Sequence, residues 1–266
     1  MIFWKGDEIM KFVDTHAHLH FPQFKDDLDK IISLFKSKQI EFIVNVGIDV
    51  EDSKRALELS KRSENIFCAV GVHPHEAEKV EKDYIKQLEK LAKDDKVVAL
   101  GEMGLDYYRN LSPKEEQLKI FREQLILAKE LDLPVILHIR NAYDDAYKLL
   151  SQIGLPGPGG VVHAFSADTE WALKFVRLGA FIGIGGPITY PKNHSLRSVV
   201  RVVGIENILS ETDCPYLPPQ QFRGKRNEPA YVRIVVEKIS EILNQNVQKV
   251  SDVLLGNAKE LFSINF

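Results

Sequence analysis

The sequence predicts an α/β fold, a single (β/α)8 TIM barrel with extra C-terminal helices. Three observations carry that prediction. Short β-branched runs alternate with helical patterns along most of the chain; there are eight such runs; and most are continuously apolar, as parallel strands covered on both faces must be. Eight βα units in roughly 250 residues suit such a barrel. The rival for this alternation is a doubly wound open sheet, but the glycine-rich nucleotide turn that follows its first strand is missing. The first strand ends instead in Thr15-His16-Ala17-His18.

The predicted strands are Lys11–His16, Glu41–Gly47, Ile66–His73, Val97–Glu102, Val135–Ile139, Gly160–Ala164, Ala180–Gly185 and Asn207–Thr212. Between them, Leu28, Ile31, Ile32 and Phe35 lie on one helical face, and Ile85, Leu88, Leu91 and Ala92 follow the same spacing approximately. The clearest helix start has Ser112 as N-cap, Pro113 at the first helical position and Glu115 closing a capping box. Leu118, Phe121, Leu125 and Ala128 continue its apolar face. Two further helices are expected after the eighth strand, from about Ala230 to Leu243 and from about Gln248 to Phe262. The stretch from Pro156 to Gly160 suffices only for a helix-to-strand turn. With no linker or repeat elsewhere, residues 1–266 are expected to form one domain.

Composition narrows the classes further. Hydrophobic residues at 44% and charged residues at 27% are ordinary for a soluble globular protein. A net charge of −3 excludes a broad basic surface for coating nucleic acid. Two cysteines are too few for a disulfide framework or a cysteine-based zinc module; Cys68 and Cys214 read as packing residues. No apolar run approaches the ~20 residues of a membrane helix. The first ten residues carry Asp7 and Glu8 and are too short for a signal peptide, so a cytoplasmic location is expected.

Barrel enzymes place their chemistry at the C-terminal ends of the strands. The two-residue side-chain period points His16 and His18 to one side. The fourth strand ends in Glu102, the fifth in His138, the sixth in His163 and the eighth in Glu211-Thr212-Asp213. A lone strand-end histidine is ordinarily a hydrogen-bonded or surface residue. Four histidines and two carboxylates at one mouth are different, because imidazole nitrogen and carboxylate oxygen together suit divalent metals, and rigid strand ends hold them in place. Six ligands exceed the three that a single catalytic zinc takes from a protein, so two divalent ions sharing a carboxylate fit better. Glu102, on the middle strand of the set, is the expected bridge. His16, His18 and Asp213 would hold one ion, and His138 and His163 the other. Glu211 faces the same way as Asp213 but deeper, which suits orienting a histidine or a water. Asp14 stands in the same relation to His16, either orienting it or making a buried structural hydrogen bond.

The segments FVDTHAHLH, GEMGLDYYR, PVILHIR, VVHAFS, and ILSETDCPYL followed by RGKRNEP resemble the TatD family of metal-dependent deoxyribonucleases, within the amidohydrolase-like barrels. The resemblance runs from Phe12 through the final helices, with the motifs in order. Matched residue by residue, it puts the family's metal ligands on His16, His18, Glu102, His138, His163 and Asp213. These are the residues the strand ends select. Imidazole ligands favour zinc or manganese, and the resemblance implies activity with magnesium, so the expected pair is Mg2+, Mn2+ or Zn2+. It also implies substrate contact for His73, whereas His75 reads as a loop residue. One departure is visible: where the family usually has Asp or Asn shortly after the His-x-His pair, this chain has His20.

Together these features imply a hydrolase of ester bonds, a deoxyribonuclease with 3′-5′ exonuclease polarity suggested by the family. Asp213 and Glu102 are its expected catalytic carboxylates, Asp213 taking a proton from the attacking water. The expected partner is DNA as substrate, single-stranded or at a strand end, with no obligate protein partner. Guanidinium groups hold phosphate bidentately, and Arg140, Arg223 and Arg226 follow the fifth and eighth strands, with Arg109 and Lys225 nearby. Tyr107, Tyr108, Tyr190 and Tyr216 on the mouth loops could stack bases or pack the loops. The alternative is a metal-dependent amidohydrolase or esterase acting on a small molecule. Relatives of that kind often bridge their metals with a modified lysine on the fourth strand, where this chain has Glu102. A non-catalytic scaffold would have no reason to collect six ligands at one mouth.

Overall fold

Apolar strands are stable only when both faces are covered, and these runs are covered by one another within a barrel and by helices outside it. The computed structural model describes residues 10–264. The segment carrying Asp7 and Glu8 lies outside them. The strands are β1 (Phe12–Ala17), β2 (Ile40–Val46), β3 (Ile66–Val70), β4 (Val97–Asp106), β5 (Val135–Arg140), β6 (Gly160–His163), β7 (Ala180–Ile184) and β8 (Ile208–Ser210). They pair in sequence order, all parallel, as an eight-stranded sheet curled into a nearly closed TIM barrel. The helices are α1 (Leu28–Ser33), α2 (Val50–Ser60), α3 (Tyr84–Leu91), α4 (Lys114–Leu131), α5 (Tyr143–Ile153), α6 (Thr169–Arg177), α7 (His194–Val203), α8 (Val232–Leu243) and α9 (Val247–Phe262). Among the described residues no helix is long and apolar enough to cross a membrane.

Two apolar layers result. Val13, Phe42, Val98, Ile136 and Leu209, from strands on opposite sides of the barrel, belong to one buried cluster, so they meet across its interior. Leu261, Phe262 and Ile264, at and after the end of α9, join the same cluster. Alternate strand residues such as Phe12, Ile43 and Leu137 pack outward with Phe121, Leu125 and Phe175 of the helices.

The helix start at Ser112 differs from expectation. The hydroxyl of Ser112 accepts from the Glu78 backbone N–H at 3.1 Å and donates to the His75 carbonyl at 2.9 Å, while α4 begins at Lys114 with no side-chain cap. A tertiary partner took the hydroxyl that a local cap would have used. β4 also runs four residues beyond the predicted end at Glu102. Gly104, at φ +142°, allows this: a β-carbon there would lie 2.1 Å from the His138 carbonyl oxygen. β8 is shorter than predicted because the chain leaves β7 after Glu211, whose N–H donates to the Ile184 carbonyl at 3.1 Å, and turns to β1.

That turn closes the barrel. Asp213 donates its backbone N–H to the His16 carbonyl and His18 donates to the Cys214 carbonyl, each at 2.8 Å. Asp14, fully buried, accepts from the Thr212 backbone at 2.8 Å, the Thr212 hydroxyl at 2.5 Å and the His16 backbone at 3.3 Å. Burial pushes the Asp14 carboxyl up to about 8, against these hydrogen bonds. The seam therefore joins the end of β1 to the segment after β8.

Gly104→Ala is expected to lower unfolding stability by about 3 kcal/mol, because the clash and the positive φ act together. Urea unfolding measures it. Gly256→Ala is the control, since a β-carbon on that α9 residue meets nothing within 4 Å, and a slight stabilisation is expected there.

Candidate metal centre

The six residues selected at the strand ends converge at the C-terminal mouth of the barrel. Glu102 sits among them, and its two oxygens face different partners. Oε2 lies 3.3 Å from His16 Nε2. Oε1 lies 2.7 Å from His138 Nδ1, 3.3 Å from His163 Nε2 and 3.6 Å from His73 Nε2. His16 Nε2 and His18 Nε2 are 3.2 Å apart, and Asp213 Oδ1 lies 3.5 Å from the latter. The rings of His16 and His163 stack at 3.6 Å. Three overlapping groups have ligand atoms within 4.8 Å of one another: His16, His18 and Asp213; His16, Glu102 and His163; His73, Glu102 and His138.

Two of the rings, His18 and His163, meet acceptors behind their far nitrogens. His18 Nδ1 lies 2.7 Å from the Val46 carbonyl, an acceptor, so it carries the proton and leaves Nε2 facing the centre. His163 Nδ1 is 3.4 Å from Glu211 Oε1, an oxygen that also accepts from the Ala164 backbone at 2.6 Å. His20, at the departure from the family pattern, pairs with Asp52 at 2.7 Å and meets Asn45.

Electrostatics follow from this crowding. Burial alone would raise the Glu102 carboxyl, but His163, His73 and His16 outweigh it and hold it well below its usual range. Burial alone would lower the His163 ring, but Glu102 and Glu211 outweigh it and hold it well above the histidine value of 6.5. His138 is raised in the same way by Asp106 and Glu102, again against burial. His73 goes the other way, lowered well below 6.5 by burial and by neighbouring His138. Asp213 is lowered because His18, His163 and His16 outweigh its burial.

Comparison with known proteins identifies the family. The family described as TatD related DNase matches residues 13–263. The chain belongs to the TatD family of metal-dependent hydrolases. A Bacillus subtilis relative named an uncharacterized metal-dependent hydrolase, YabD, is 39% identical over 252 residues, covering 95% of this chain and 99% of that one. The Escherichia coli TatD homologue YjjV superposes with a TM-score of 0.92 at 35% identity, covering 97% of this chain and 100% of that one. A TatD family hydrolase from Entamoeba histolytica superposes with a TM-score of 0.86 at 25% identity over 95% and 98% of the two chains.

The donor set of this TatD protein fits the metals its family requires. Nε2 of His16 and of His163 and Nδ1 of His138 crowd the buried, ionised carboxylate of Glu102, with Nε2 of His18 beside them. Mixed nitrogen and oxygen donors suit divalent transition ions. The site opens into a cavity of about 710 Å³ lined by Phe21, Phe165, Leu196 and Tyr216 as well as by the acids and histidines.

The expected phosphate donors separate. Arg140 lines the cavity, its guanidinium 4.0 Å over the Tyr108 ring, and Arg109 lines it too. Arg223 lies over the Tyr190 ring at 4.9 Å and is not among the lining residues. Arg226 departs from the expectation: Asp27 takes its guanidinium at 2.6 and 2.8 Å and Glu228 at 3.0 Å, so it is not free for phosphate. His75 is no mere loop residue, since its Nε2 lies 2.9 Å from Asp106 Oδ2. Asp106 itself was missed. The period-two logic that links Glu211 to Asp213 also runs from Glu102 through Gly104 to Asp106, once β4 is allowed to continue.

Because His138 and His163 hold protons above 6.5 before an ion binds, and ligation needs the neutral ring, loading is expected to expel protons. Apparent affinity should therefore rise with pH through the neutral range, and titration calorimetry in buffers of different ionisation enthalpy reads the proton count. Glu102→Gln is expected to reduce bound metal to about one ion or fewer. Elemental analysis after dialysis measures this, and two ions retained would show that Glu102 is not shared.

Proposed function

We propose that this TatD hydrolase is a dinuclear deoxyribonuclease that removes nucleotides from a DNA strand end, as a 3′-5′ exonuclease. The observation that carries the reading is the split of Glu102, one oxygen toward His16 and the other toward His138 and His163. His16, His18 and Asp213 would hold one divalent ion, His138 and His163 the other, and Glu102 would span both. Two such ions supply Lewis-acid charge to phosphoryl oxygens and lower the pKa of water. Asp213, held ionised by the surrounding histidines and partly open to the cavity, would take the proton of the attacking water. Glu211 stands behind His163 and holds the Ala164 amide, which keeps that end of the centre rigid.

The cavity supplies the rest. Arg140 and Arg109 stand at its edge, where guanidinium groups can take non-bridging phosphate oxygens. Phe21 stacks on His18 at 4.7 Å and meets Tyr216 edge-on at 6.3 Å, an aromatic wall against which a base can stack. His73 sits between the centre and the cavity, in reach of a substrate oxygen. The family description names a DNase, which favours this substrate. A second reading, hydrolysis of a small amide or ester, is favoured by the apolar lining from Phe165 and Leu196, which could enclose a small ligand.

Metal-reconstituted protein is expected to shorten end-labelled single-stranded DNA from the 3′ end, and chelator should abolish the reaction. Cleavage that survives chelator, or rapid hydrolysis of model amides without DNA cleavage, would overturn the nuclease reading. Arg140→Ala is expected to raise KM for DNA about tenfold with a smaller change in kcat, the loss of one charge-assisted phosphate contact. Steady-state kinetics on a short oligonucleotide measures the split.

A further inference from the structure

We propose that Asp106 is a positioning residue that decides which nitrogen of His138 is offered to a metal ion. It holds Nε2 as the nitrogen that keeps its proton, so that Nδ1, on the Glu102 side, is the one given up to an ion. This rests on the reading of His138 as a ligand, and it concerns a residue that touches no ion itself.

The geometry leaves Asp106 little freedom. It is fully buried at the end of β4. Oδ1 accepts the backbone N–H groups of Tyr108 at 3.0 Å and Arg109 at 2.8 Å. Its own backbone N–H donates to Gln117 Oε1 at 2.8 Å. With one oxygen fixed by two backbone donors, the other must face the histidines. Oδ2 lies 3.1 Å from His138 Nε2 and 2.9 Å from His75 Nε2.

A carboxylate oxygen accepts and cannot donate, so both rings must present N–H to it. A neutral imidazole has one N–H. Without an ion both nitrogens of His138 face carboxylate oxygens, Nδ1 lying 2.7 Å from Glu102 Oε1, and both carry protons; when an ion displaces one, Asp106 keeps the other on Nε2 and leaves Nδ1 as the ligating nitrogen. The same device operates at His18, whose Nδ1 is committed to the Val46 carbonyl and whose Nε2 faces the centre. Opposite nitrogens face inward in the two rings, and in each case the acceptor behind the ring makes the choice. Asp106 differs in serving two rings from one oxygen, so it also ties the turn carrying His73 and His75 to the end of β4.

Asp106→Asn separates positioning from packing because it preserves shape and reverses the hydrogen bond. The two backbone donors would hold the amide oxygen at the Oδ1 position and place the amide N–H2 where Oδ2 was. His138 Nε2 would then have to accept, moving the proton to Nδ1 and closing that nitrogen to metal.

The test uses the full chain loaded with zinc. Wild type is expected to bind two ions. In long-range 1H–15N spectra of histidine-labelled protein, the His138 ring, assigned by its loss in His138→Asn, should be protonated on Nε2 with zinc on Nδ1. Asp106→Asn is expected to keep one ion and to weaken the other by about tenfold to a hundredfold in competition with a chelator. His75→Gln, which leaves Asp106 and His138 in contact, is expected to keep both ions. Zinc on Nε2 of His138 in the wild type would overturn the proposal, and that measurement needs no variant to fold. Two ions held with wild-type affinity by folded Asp106→Asn would overturn it as well, as would loss of the second ion in His75→Gln. Wild type that binds a single ion would instead overturn the dinuclear reading, with the His138 tautomer still judging Asp106.

Discussion

A carboxylate taken out of water must be met by opposite charge or by hydrogen bonds, and the mouth of this barrel is organised around that demand at Glu102. Five imidazoles, from His16, His18, His73, His138 and His163, approach its two oxygens. Each of those rings needs a partner on its far side or a ligand in front, which draws in Glu211 and Asp106. Carboxylates and rings thus alternate from the centre outward. The charge on Glu102 sets the protonation of its neighbours, and the rigid strand ends prevent the group from relaxing into separate pairs.

Much of this was legible in the sequence, for identifiable reasons. The eight strands show because residues such as Val44, Ile136 and Ile182 sit in runs that are apolar on both faces, which strands exposed on one side do not contain. The cluster of histidines and acids shows because strand ends are known in advance to point at one mouth. What was hidden depended on contacts between distant segments. Ser112 has every local mark of a helix cap, yet its hydroxyl bonds to the turn after β3. Arg226 lies in a basic run that reads as a phosphate grip, but Asp27, far away in sequence, claims it. Asp106 was visible as a letter in a motif and invisible as a function, because its role depends on β4 continuing past Glu102.

The extension of β4 and the shortness of β8 share a cause. Both strands carry acids that must reach the mouth at a set depth. β4 does so by continuing through Gly104, whose missing side chain lets the backbone come close to His138. β8 does so by stopping early and handing Asp213 to β1 through backbone hydrogen bonds. In both places backbone contact limits which side chains are possible, and the acids occupy the positions that remain.

The closure between β1 and β8 has a further consequence. Its ladder is short, and the buried pair of Asp14 and Thr212 does much of the joining. Immediately above it, His16, His18 and Asp213 offer ligand atoms within 4.8 Å of one another. An ion held there would link positions separated by most of the barrel's chain, and such a link removes freedom from the unfolded chain as a long-loop crosslink does. With an ion bound, this group would be a clasp on the barrel as much as a reagent, and stripping the metal would loosen the hoop at the place where it was joined.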